Sequence, residues 1–459
     1  MKRVGKKLVI ISVPLYRISR VTLSDRILGA LRDNYDVLIV APFANNKKFQ
    51  KEFGADRVYF LQYNENKHRG LLKALYTISE ILRVNGYWYR NRKKGMAFYL
   101  KNQFIRLMPD GKDVRIGLFR RLFIKILCII GSAKFAWQMV DSIIGKKAFL
   151  FSGLSSITDE YEQVVLIQSA SWGMQDRTMA WHANNKGWKK ILIPYTTDQL
   201  DMNGYLLTDY DYLLIQGGFE YNRAITHHDF EKSKIKCFGS VWFRHLDDIR
   251  ENLPVNSSKK EPFILYAGAS RTYYPRNSEF EAIDLLIQII KQQKIGLKLI
   301  YRPVEFDELF RREIIERYDD VEQVELQWPQ ASAIGMHEYQ EVNQKESLAS
   351  YIDDFSGCVL FVMSLNTSLV LDVAYLEKCG VIANFYDPTG MLKNRNTELF
   401  HMGCMKGGRI TYSLEGLRES VEYLLENREV GEGEAKRIIK EWDYPETNME
   451  QCLLDSIID

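Results

Sequence analysis

The segment 358-CVLFVMSLNTSLVLDVAYLEKCGVIANFYD-387 decides the fold class, because strand and helix patterns alternate within it. The run 358–364 is almost wholly apolar, as strands buried on both faces of a parallel sheet are. The run 367–379 is predicted as a helix, and the run 381–387 as a second and last strand. This strand–helix–strand order predicts an α/β fold built on a parallel sheet.

The turn between the first strand and the helix has the composition of an anion site. Asn366, Thr367 and Ser368 are small polar residues placed where a helix N-terminus leaves backbone N–H groups without partners. Open α/β sheets bind ligands at this carboxyl end of their strands. Asp372 follows one helical turn later. The alternative is plain N-capping of the helix by Asn366 or Thr367, which many helices use.

The same alternation extends outward from this segment in both directions. Ser24 is predicted to cap a helix over 25–33, where Ile27, Leu28 and Leu31 recur at helical spacing. Further strands are predicted at 8–13, 37–42, 57–63, 164–170, 190–195, 210–216, 235–240, 263–270, 297–303 and 321–329.

A polar stretch with prolines near both ends, 251–262, is predicted to join two α/β units. The predicted architecture is two Rossmann-like domains with a central cleft. The predicted boundaries are an N-terminal domain over 1–250, the linker 251–262, a C-terminal domain over 263–430 and a helical tail over 431–459.

The composition is that of a globular protein. The 459 residues are 46% hydrophobic and 26% charged, with a net charge of +3, which excludes disordered and collagen-like classes. Six cysteines are scattered without a CxxC pair, which argues against a disulfide framework or a zinc knuckle and fits a reducing compartment. The basic N-terminus leads only into a short apolar run, which predicts a first strand and not a signal peptide.

The near-neutral total conceals a basic, aromatic block over 86–146. It holds thirteen Lys and Arg against three Asp, a net charge of +10, which leaves −7 for the remainder. Its apolar part, 122–140, is interrupted by Lys125 and Lys134, and a spanning helix needs about 20 largely apolar residues. We interpret the block as an amphipathic insert that faces a membrane surface. The alternative is a core helix pair with a solvated basic face.

The segment 358–387 resembles the donor site of GT-B glycosyltransferases, in particular those that build bacterial cell-surface polysaccharides of capsule or O-antigen type. The resemblance is carried by 366-NTS-368, Asp372, Ala374 and 378-KCGV-381. Asp372 stands where the family usually has a glutamate that binds a ribose, and Lys378-Cys379-Gly380 departs from the usual Gly-Lys-Pro step.

Other segments resemble the same family in the same order, so that the resemblance covers about 160–390. They are 191–217, which contains Asp198 and Gly204, together with 235–243, 263–270 and 300–307. Val304 stands where the family often has a histidine.

The resemblance implies the GT-B fold and transfer of a sugar from a nucleotide-sugar donor to a polysaccharide or lipid-linked glycan acceptor. It implies no cofactor and no metal, because helix N-termini and cationic side chains meet the diphosphate charge in this fold. Together with the basic insert, it implies a cytoplasmic protein at the inner face of the cell membrane, with no nucleic-acid partner.

Site residues are assigned on the same basis. For donor binding, the candidates beside 366–368 and Asp372 are Arg302, Arg271, Ser270 and His337. Either arginine could instead be a surface residue, and His337 could lie in a surface loop. The candidate catalytic bases are Asp198 and then Asp25, although Asp25 also suits the first turn of a helix.

Three other functions stay open at this point. A CMP-alditol phosphotransferase of the teichoic-acid type shares the architecture, but it usually carries a histidine where this chain has Val304. A nucleotide-sugar 2-epimerase also shares the fold. A non-enzymatic surface-assembly or nucleic-acid-binding protein would use the basic, aromatic block and leave the 366–368 turn unexplained.

Overall fold

The structure is a computed structural model, and it describes the larger part of the chain. The described residues are 3–63, 70–94, 105–107, 113–115, 117–147, 153–170, 173–195, 199–202, 204–251, 261–269, 274–293, 296–304, 308–328, 344–365, 367, 369–390, 392 and 408–458.

The first half of the chain forms a seven-stranded parallel sheet in the order β3-β2-β1-β6-β7-β8-β9. Its central strands are apolar runs buried on both faces, as the sequence predicts. The strands are β1 (Arg3–Ser12), β2 (Asp36–Ala41), β3 (Val58–Gln62), β6 (Tyr161–Gln168), β7 (Lys189–Leu192), β8 (Tyr212–Ile215) and β9 (Ile235–Cys237).

The helices of this half cover the sheet. They are α1 (Tyr16–Thr22), α2 (Asp25–Asn34), α3 (Lys47–Phe53), α4 (Leu71–Arg90), α5 (Leu118–Gly131), α6 (Lys134–Lys147), α7 (Leu154–Thr158), α8 (Gly173–Lys186), α9 (Gln199–Met202), α10 (Gly218–His228) and α11 (Val241–Glu251). The predicted cap of α2 is confirmed, because the Ser24 side chain accepts a hydrogen bond from the backbone N–H of Ile27.

The predicted insert is helical. Helices α5 and α6 pack against α4, and two short antiparallel strands, β4 (Ile105–Leu107) and β5 (Asp113–Arg115), precede them. Among the described residues no single helix is long and apolar enough to cross a membrane. The pair α5 and α6 meets the length and composition requirement only jointly, and the two helices are bent by 91°.

The second half forms a six-stranded parallel sheet in the order β12-β11-β10-β13-β14-β15. The strands are β10 (Phe263–Ala267), β11 (Lys298–Arg302), β12 (Val324–Leu326), β13 (Cys358–Ser364), β14 (Gly380–Asn384) and β15 (Arg409–Thr411). The helices are α12 (Arg276–Gln292), α13 (Glu308–Tyr318), α14 (Gln344–Asp353), α15 (Leu369–Leu376), α16 (Leu414–Glu426), α17 (Arg428–Trp442) and α18 (Met449–Ile458).

The prediction that 381–387 is the last strand is wrong, because β15 follows it and pairs with β14. Only three residues of β15 pair, at the edge of the sheet, and so short a strand leaves no periodic pattern in the sequence. Helix α1 is also absent from the sequence-based prediction.

Both sheets have the strand order of a Rossmann fold, in which the first and fourth strands of the unit are neighbours. The order reverses between β1 and β6 in the first sheet and between β10 and β13 in the second. At each reversal, connections leave the sheet toward opposite faces and open a crevice at the carboxyl ends of the strands. The fold therefore provides two candidate sites, one in each half.

The ends of the chain cross between the halves. Helix α11 lies before the predicted linker, yet its Phe243 and Leu246 are buried in the core of the second half. Helix α18 returns to the first half, where Leu453 and Ile457 are buried in that core. Of the predicted linker 251–262, the residues 252–260 lie outside the described residues.

Candidate functional site

The candidate donor site lies at the strand-order reversal of the second sheet. Strand β10 ends at Ala267, opposite Met363 of β13 and Arg302 of β11. The backbone N–H of Gly268 continues the ladder by donating to the Arg302 carbonyl oxygen at 2.9 Å. Residues that leave these three strands therefore meet at one edge of the sheet.

The turn after β13 has an unusual backbone. Leu365 has a φ of 58° although it is not glycine, and it is buried. A bulky residue rarely adopts the left-handed region, and such strain concentrates at functional sites. The Leu365 N–H donates to the Asn384 carbonyl oxygen at 3.0 Å, which holds the turn to β14.

Thr367 lies just before helix α15 and caps the N-terminus of this helix. Its hydroxyl accepts a hydrogen bond from the Leu369 N–H at 3.4 Å, and its carbonyl oxygen accepts from the Val370 N–H at 3.1 Å. Thr367 thus makes the capping contacts that were the alternative to anion binding. Its neighbours Asn366 and Ser368 lie outside the described residues.

A buried carboxylate, Glu279, supports this edge from below, and the sequence-based prediction does not include it. It accepts hydrogen bonds from the Ser364 hydroxyl at 3.0 Å, the Tyr301 hydroxyl at 2.5 Å and the Ala269 N–H at 3.1 Å. It therefore joins the ends of β10, β11 and β13. A side chain on Gly268 would place its Cβ 2.6 Å from the Glu279 carboxylate, so this glycine permits the close approach. The available signal was a glutamate on the apolar face of α12, among Phe280 and Ile283.

Asp372 is fully engaged by protein side chains. Its carboxylate accepts a hydrogen bond from the Trp242 indole N–H at 2.8 Å and another from the Tyr351 hydroxyl. Burial raises the pKa of Asp372 to about 6, against the opposing effect of these two donors. Asp372 thereby ties α11 and α14 to α15, whereas its ribose contact stays a prediction.

Arg302 is the last residue of β11, and its positive charge acts on the Asp372 carboxylate. Its guanidinium pairs with Asp354 at 3.1 Å, lies over the Phe355 ring and leaves 16% of the side chain exposed. The Nε atom is buried and has no hydrogen-bond partner among the described residues. Arg302 is therefore positioned by an ion pair, and its phosphate contact stays a prediction.

Of the remaining predicted site residues only Asp25 is described, and it lies in the first half of the chain. Asp25 is exposed in the first turn of α2, the position that its alternative interpretation assigns to it. The other six lie outside the described residues, namely Asp198, Asn366, Ser368, Ser270, Arg271 and His337.

The strand-order reversal of the first sheet carries a second buried polar network that the sequence did not reveal. The Asp176 carboxylate, at the start of α8, accepts from the Ser12 hydroxyl at 2.8 Å and from the Gln168 side-chain amide at 3.3 Å. Gln175 donates to the Ser12 hydroxyl at 2.9 Å. These residues are fully buried, so they support the crevice and do not line it.

Three histidines of the first half, His182, His227 and His228, are buried within the protein. Burial lowers the pKa of His182 and of His228 to about 4. His227 contacts Asp201 at 3.1 Å. His182, His227 and His228 are therefore part of the packing of this half.

Other cavities and clusters of the described residues lie away from this edge. A cavity of about 570 Å³ opens near the amino-terminal ends of β6 and β7, opposite the edge where parallel sheets bind ligands. Among the described residues no group of three or more His, Cys, Asp or Glu could hold a metal ion.

Sequence comparisons identify no relative, but the fold has known counterparts. No known protein family and no curated protein matches the sequence. UDP-GlcNAc 2-epimerase from Neisseria meningitidis, solved bound to UDP-GlcNAc, matches 99% of this chain and 99% of its own with a TM-score of 0.50 and 12% identity. The fold is GT-B.

Two further solved structures match over nearly the whole chain with lower scores. MnaA of S. aureus, solved with UDP, covers 99% of this chain and 98% of its own at 9% identity and a TM-score of 0.49. MurG of Acinetobacter baumannii covers 99% of both chains at 12% identity and a TM-score of 0.44. The two parallel sheets and the match to the Neisseria meningitidis structure confirm the predicted fold class, namely two Rossmann-like domains with a helical insert.

Proposed function

We propose that the protein is a glycosyltransferase that moves a sugar from a nucleotide-activated donor to a cell-surface polysaccharide, of capsule or O-antigen type, or to a lipid-linked glycan. The proposal depends on the combination of two features, one in each domain. The second domain of a GT-B fold has a strained polar turn at its strand-order reversal, while the first domain carries a basic, apolar insert suited to meet an acceptor at the cytoplasmic face of the cell membrane.

The donor half of the proposal depends on charge and backbone geometry. The turn 365–368 opens α15, whose first N–H groups carry the positive end of the helix dipole. Arg302 lies at the end of the neighbouring strand and brings a cation to the same edge. We propose that Asn366, Thr367 and Ser368 hold the donor diphosphate, with Ser270, Arg271 and His337 as further donor-binding residues and without a metal ion.

Transfer to the acceptor requires a base that takes the proton of the attacking hydroxyl. We propose Asp198 for this role, because it follows a strand of the first domain, with Asp25 as the second candidate. Among the described residues of the first-domain crevice, Asp176 is unsuitable because its carboxylate is buried and bonded to Ser12.

The basic insert favours sugar transfer to an acceptor over the two alternative activities, a 2-epimerase and a CMP-alditol phosphotransferase. A 2-epimerase acts on the nucleotide sugar alone and has no use for a basic, apolar surface. A CMP-alditol phosphotransferase has an acceptor, but the position of its usual histidine holds Val304, an exposed apolar residue here. Conversion of a free nucleotide sugar without acceptor would support the epimerase, and release of CMP with a phosphate-linked product would support the phosphotransferase.

The test is titration of the full chain with UDP-, GDP-, CMP- and TDP-sugars, beginning with UDP-GlcNAc because a protein of similar fold was solved with it. We expect one of them to bind. The double variant Thr367→Ala/Ser368→Ala should then lose about a hundredfold in donor affinity, because two hydrogen bonds to a charged ligand are removed.

The matched control is Thr77→Ala/Ser156→Ala, which removes two exposed hydroxyls from the other domain. It should bind the donor like the wild type. Absence of binding by the wild type to any of these sugars would refute the proposed function, and unchanged affinity in Thr367→Ala/Ser368→Ala would refute the assigned phosphate site.

A further inference from the structure

Helices α5 and α6 each expose a row of large apolar side chains. On α5 the side chains of Leu118, Phe119, Leu122, Phe123, Ile126 and Ile130 are exposed, with Phe119 at 88%. They recur at intervals of three to four residues, so they form one stripe along the helix. Isolated exposed apolar residues are ordinary, whereas a stripe of this length marks an interaction surface.

The second helix has an apolar stripe of its own. Phe135, Met139 and Ile143 are exposed at intervals of four residues along α6, with Phe135 at 66%. The opposite faces of the two helices are already used, because Cys128 and Trp137 are 1% exposed in a cluster with Leu82 of α4. The exposed stripes are therefore additional to the packing of the hairpin on its own domain.

The net charge of the hairpin formed by α5 and α6 indicates which kind of partner this surface binds. Residues 118–147 contain six Lys and Arg and one acidic residue, Asp141. Asp141 is turned inward and pairs with Arg177 at 2.7 Å, whereas Arg120, Lys125 and Lys134 are exposed. A second copy of this chain would bring like charges together, but an anionic phospholipid surface offers both opposite charge and an apolar layer.

The geometry determines how the hairpin meets a bilayer. Each helix has 14 residues, or about 21 Å, which is shorter than the hydrocarbon core of about 30 Å. The 91° bend prevents the pair from acting as one straight span. Both helices can instead lie in the plane of the interface with their apolar stripes among the acyl chains.

We propose that the α5–α6 hairpin is a monotopic membrane anchor that inserts its apolar stripes into one leaflet and places its Lys and Arg residues at anionic phospholipid headgroups. Because α4 and α6 belong to the first domain, the anchor brings the acceptor half of the cleft next to the bilayer. The purpose of this docking depends on the proposed function, whereas the docking itself is measured without donor or acceptor.

The test is co-sedimentation of the full chain with two kinds of vesicle, phosphatidylcholine alone and an equal mixture of phosphatidylcholine and phosphatidylglycerol. The wild type should bind the mixed vesicles at least about tenfold more tightly than the neutral ones, because the basic side chains add attraction to anionic lipid. Arg120→Gln/Lys125→Gln should reduce this preference toward that of a neutral surface.

The apolar stripe is tested by Phe119→Glu/Phe123→Glu, which should lose at least about tenfold in binding to the mixed vesicles. Both side chains are exposed, so its thermal unfolding should match that of the wild type. The control Tyr412→Glu adds a charge at an exposed aromatic residue of the second domain and should bind like the wild type.

Two results would overturn the proposal that this hairpin is a membrane anchor. One is wild-type protein that stays in the supernatant with both kinds of vesicle. The other is a dimer, seen by light scattering, that Phe119→Glu/Phe123→Glu dissociates while vesicle binding is unchanged, which would assign the stripe to a second copy. Donor titration of the same variants distinguishes these failures from a failure of the proposed function.

Discussion

At the scale of single residues, the candidate donor site of the second sheet is built from side chains that lie far apart in the sequence. Glu279 and Ser364 are separated by 85 positions and meet at 3.0 Å. Trp242 and Asp372 are separated by 130 positions and meet at 2.8 Å. The sequence predicted Asp372 from its motif, but its two partners and the role of Glu279 depend on packing that no local pattern reports.

Asp372→Asn should change how stability depends on pH. In the folded protein burial raises the pKa of Asp372 to about 6, above the ordinary 3.8. The carboxyl therefore contributes stability that is present below pH 4 and is lost as pH rises through about 6, since the buried group must then ionise. Between pH 4.5 and 7.5 the wild type should lose about 2 kcal/mol relative to the variant.

Urea unfolding followed by tryptophan fluorescence at several pH values measures this difference. Asp25→Asn, which changes an exposed carboxylate, is the control and should track the wild type. A difference between Asp372→Asn and the wild type that stays constant over this pH range would contradict the buried, protonated state of Asp372.

At the scale of elements, the predicted amphipathic insert combines both interpretations that the sequence left open. One face of α5 packs on α4, as a core helix does, and the other face stays apolar and exposed. The sequence predicts an apolar stretch interrupted by Lys125 and Lys134, with a helix pair as one alternative. The structure has two helices with a bend at 132–133. The contact between Gly86 and Gly131 is what lets α4 and α5 approach so closely.

Gly131→Ala should separate these helices. A Cβ at this position would lie 2.1 Å from the Leu82 carbonyl oxygen, and the backbone has to move to accept it. We expect a loss of about 2–4 kcal/mol in the free energy of unfolding, measured by urea titration. Gly29→Ala lies in helix α2 with nothing within 4 Å of its Cβ, so it should be neutral or stabilising. Equal stability of both variants would show that the crossing is not tight.

At the scale of the whole molecule, the two domains are connected by more than their linker. Asp443, just after α17, accepts from the Ser240 N–H at 2.7 Å and pairs with Arg244 at 2.9 Å. A Cβ on Gly217 would lie 2.4 Å from the backbone carbon of Trp442, so the end of β8 contacts the end of α17 directly. The crossing of α17 and α18 is therefore a packed joint, and the relative position of the two crevices depends on it.

Asp443→Ala should weaken this joint. The carboxylate is buried and Arg244 is largely buried beside it, so the substitution removes the closest counter-charge of the guanidinium and leaves it with Asp247 at 3.9 Å. We expect a loss of about 3–5 kcal/mol in stability and a larger radius of gyration by small-angle X-ray scattering. Asp455→Ala, at an exposed position of α18, should change neither quantity. An unchanged unfolding midpoint in Asp443→Ala would contradict the role of this joint.

Sequence patterns alone predicted the α/β class, the two Rossmann-like units, the cap at Ser24 and the helical, basic character of the insert. Each of these follows from local periodicity and composition, which a single segment contains in full. The tertiary structure decided which carboxylate lies beneath the donor edge, which side chains engage Asp372, which face of the insert stays exposed and how the C-terminal helices cross. These features depend on contacts between distant segments, and such contacts exist only after the chain has packed.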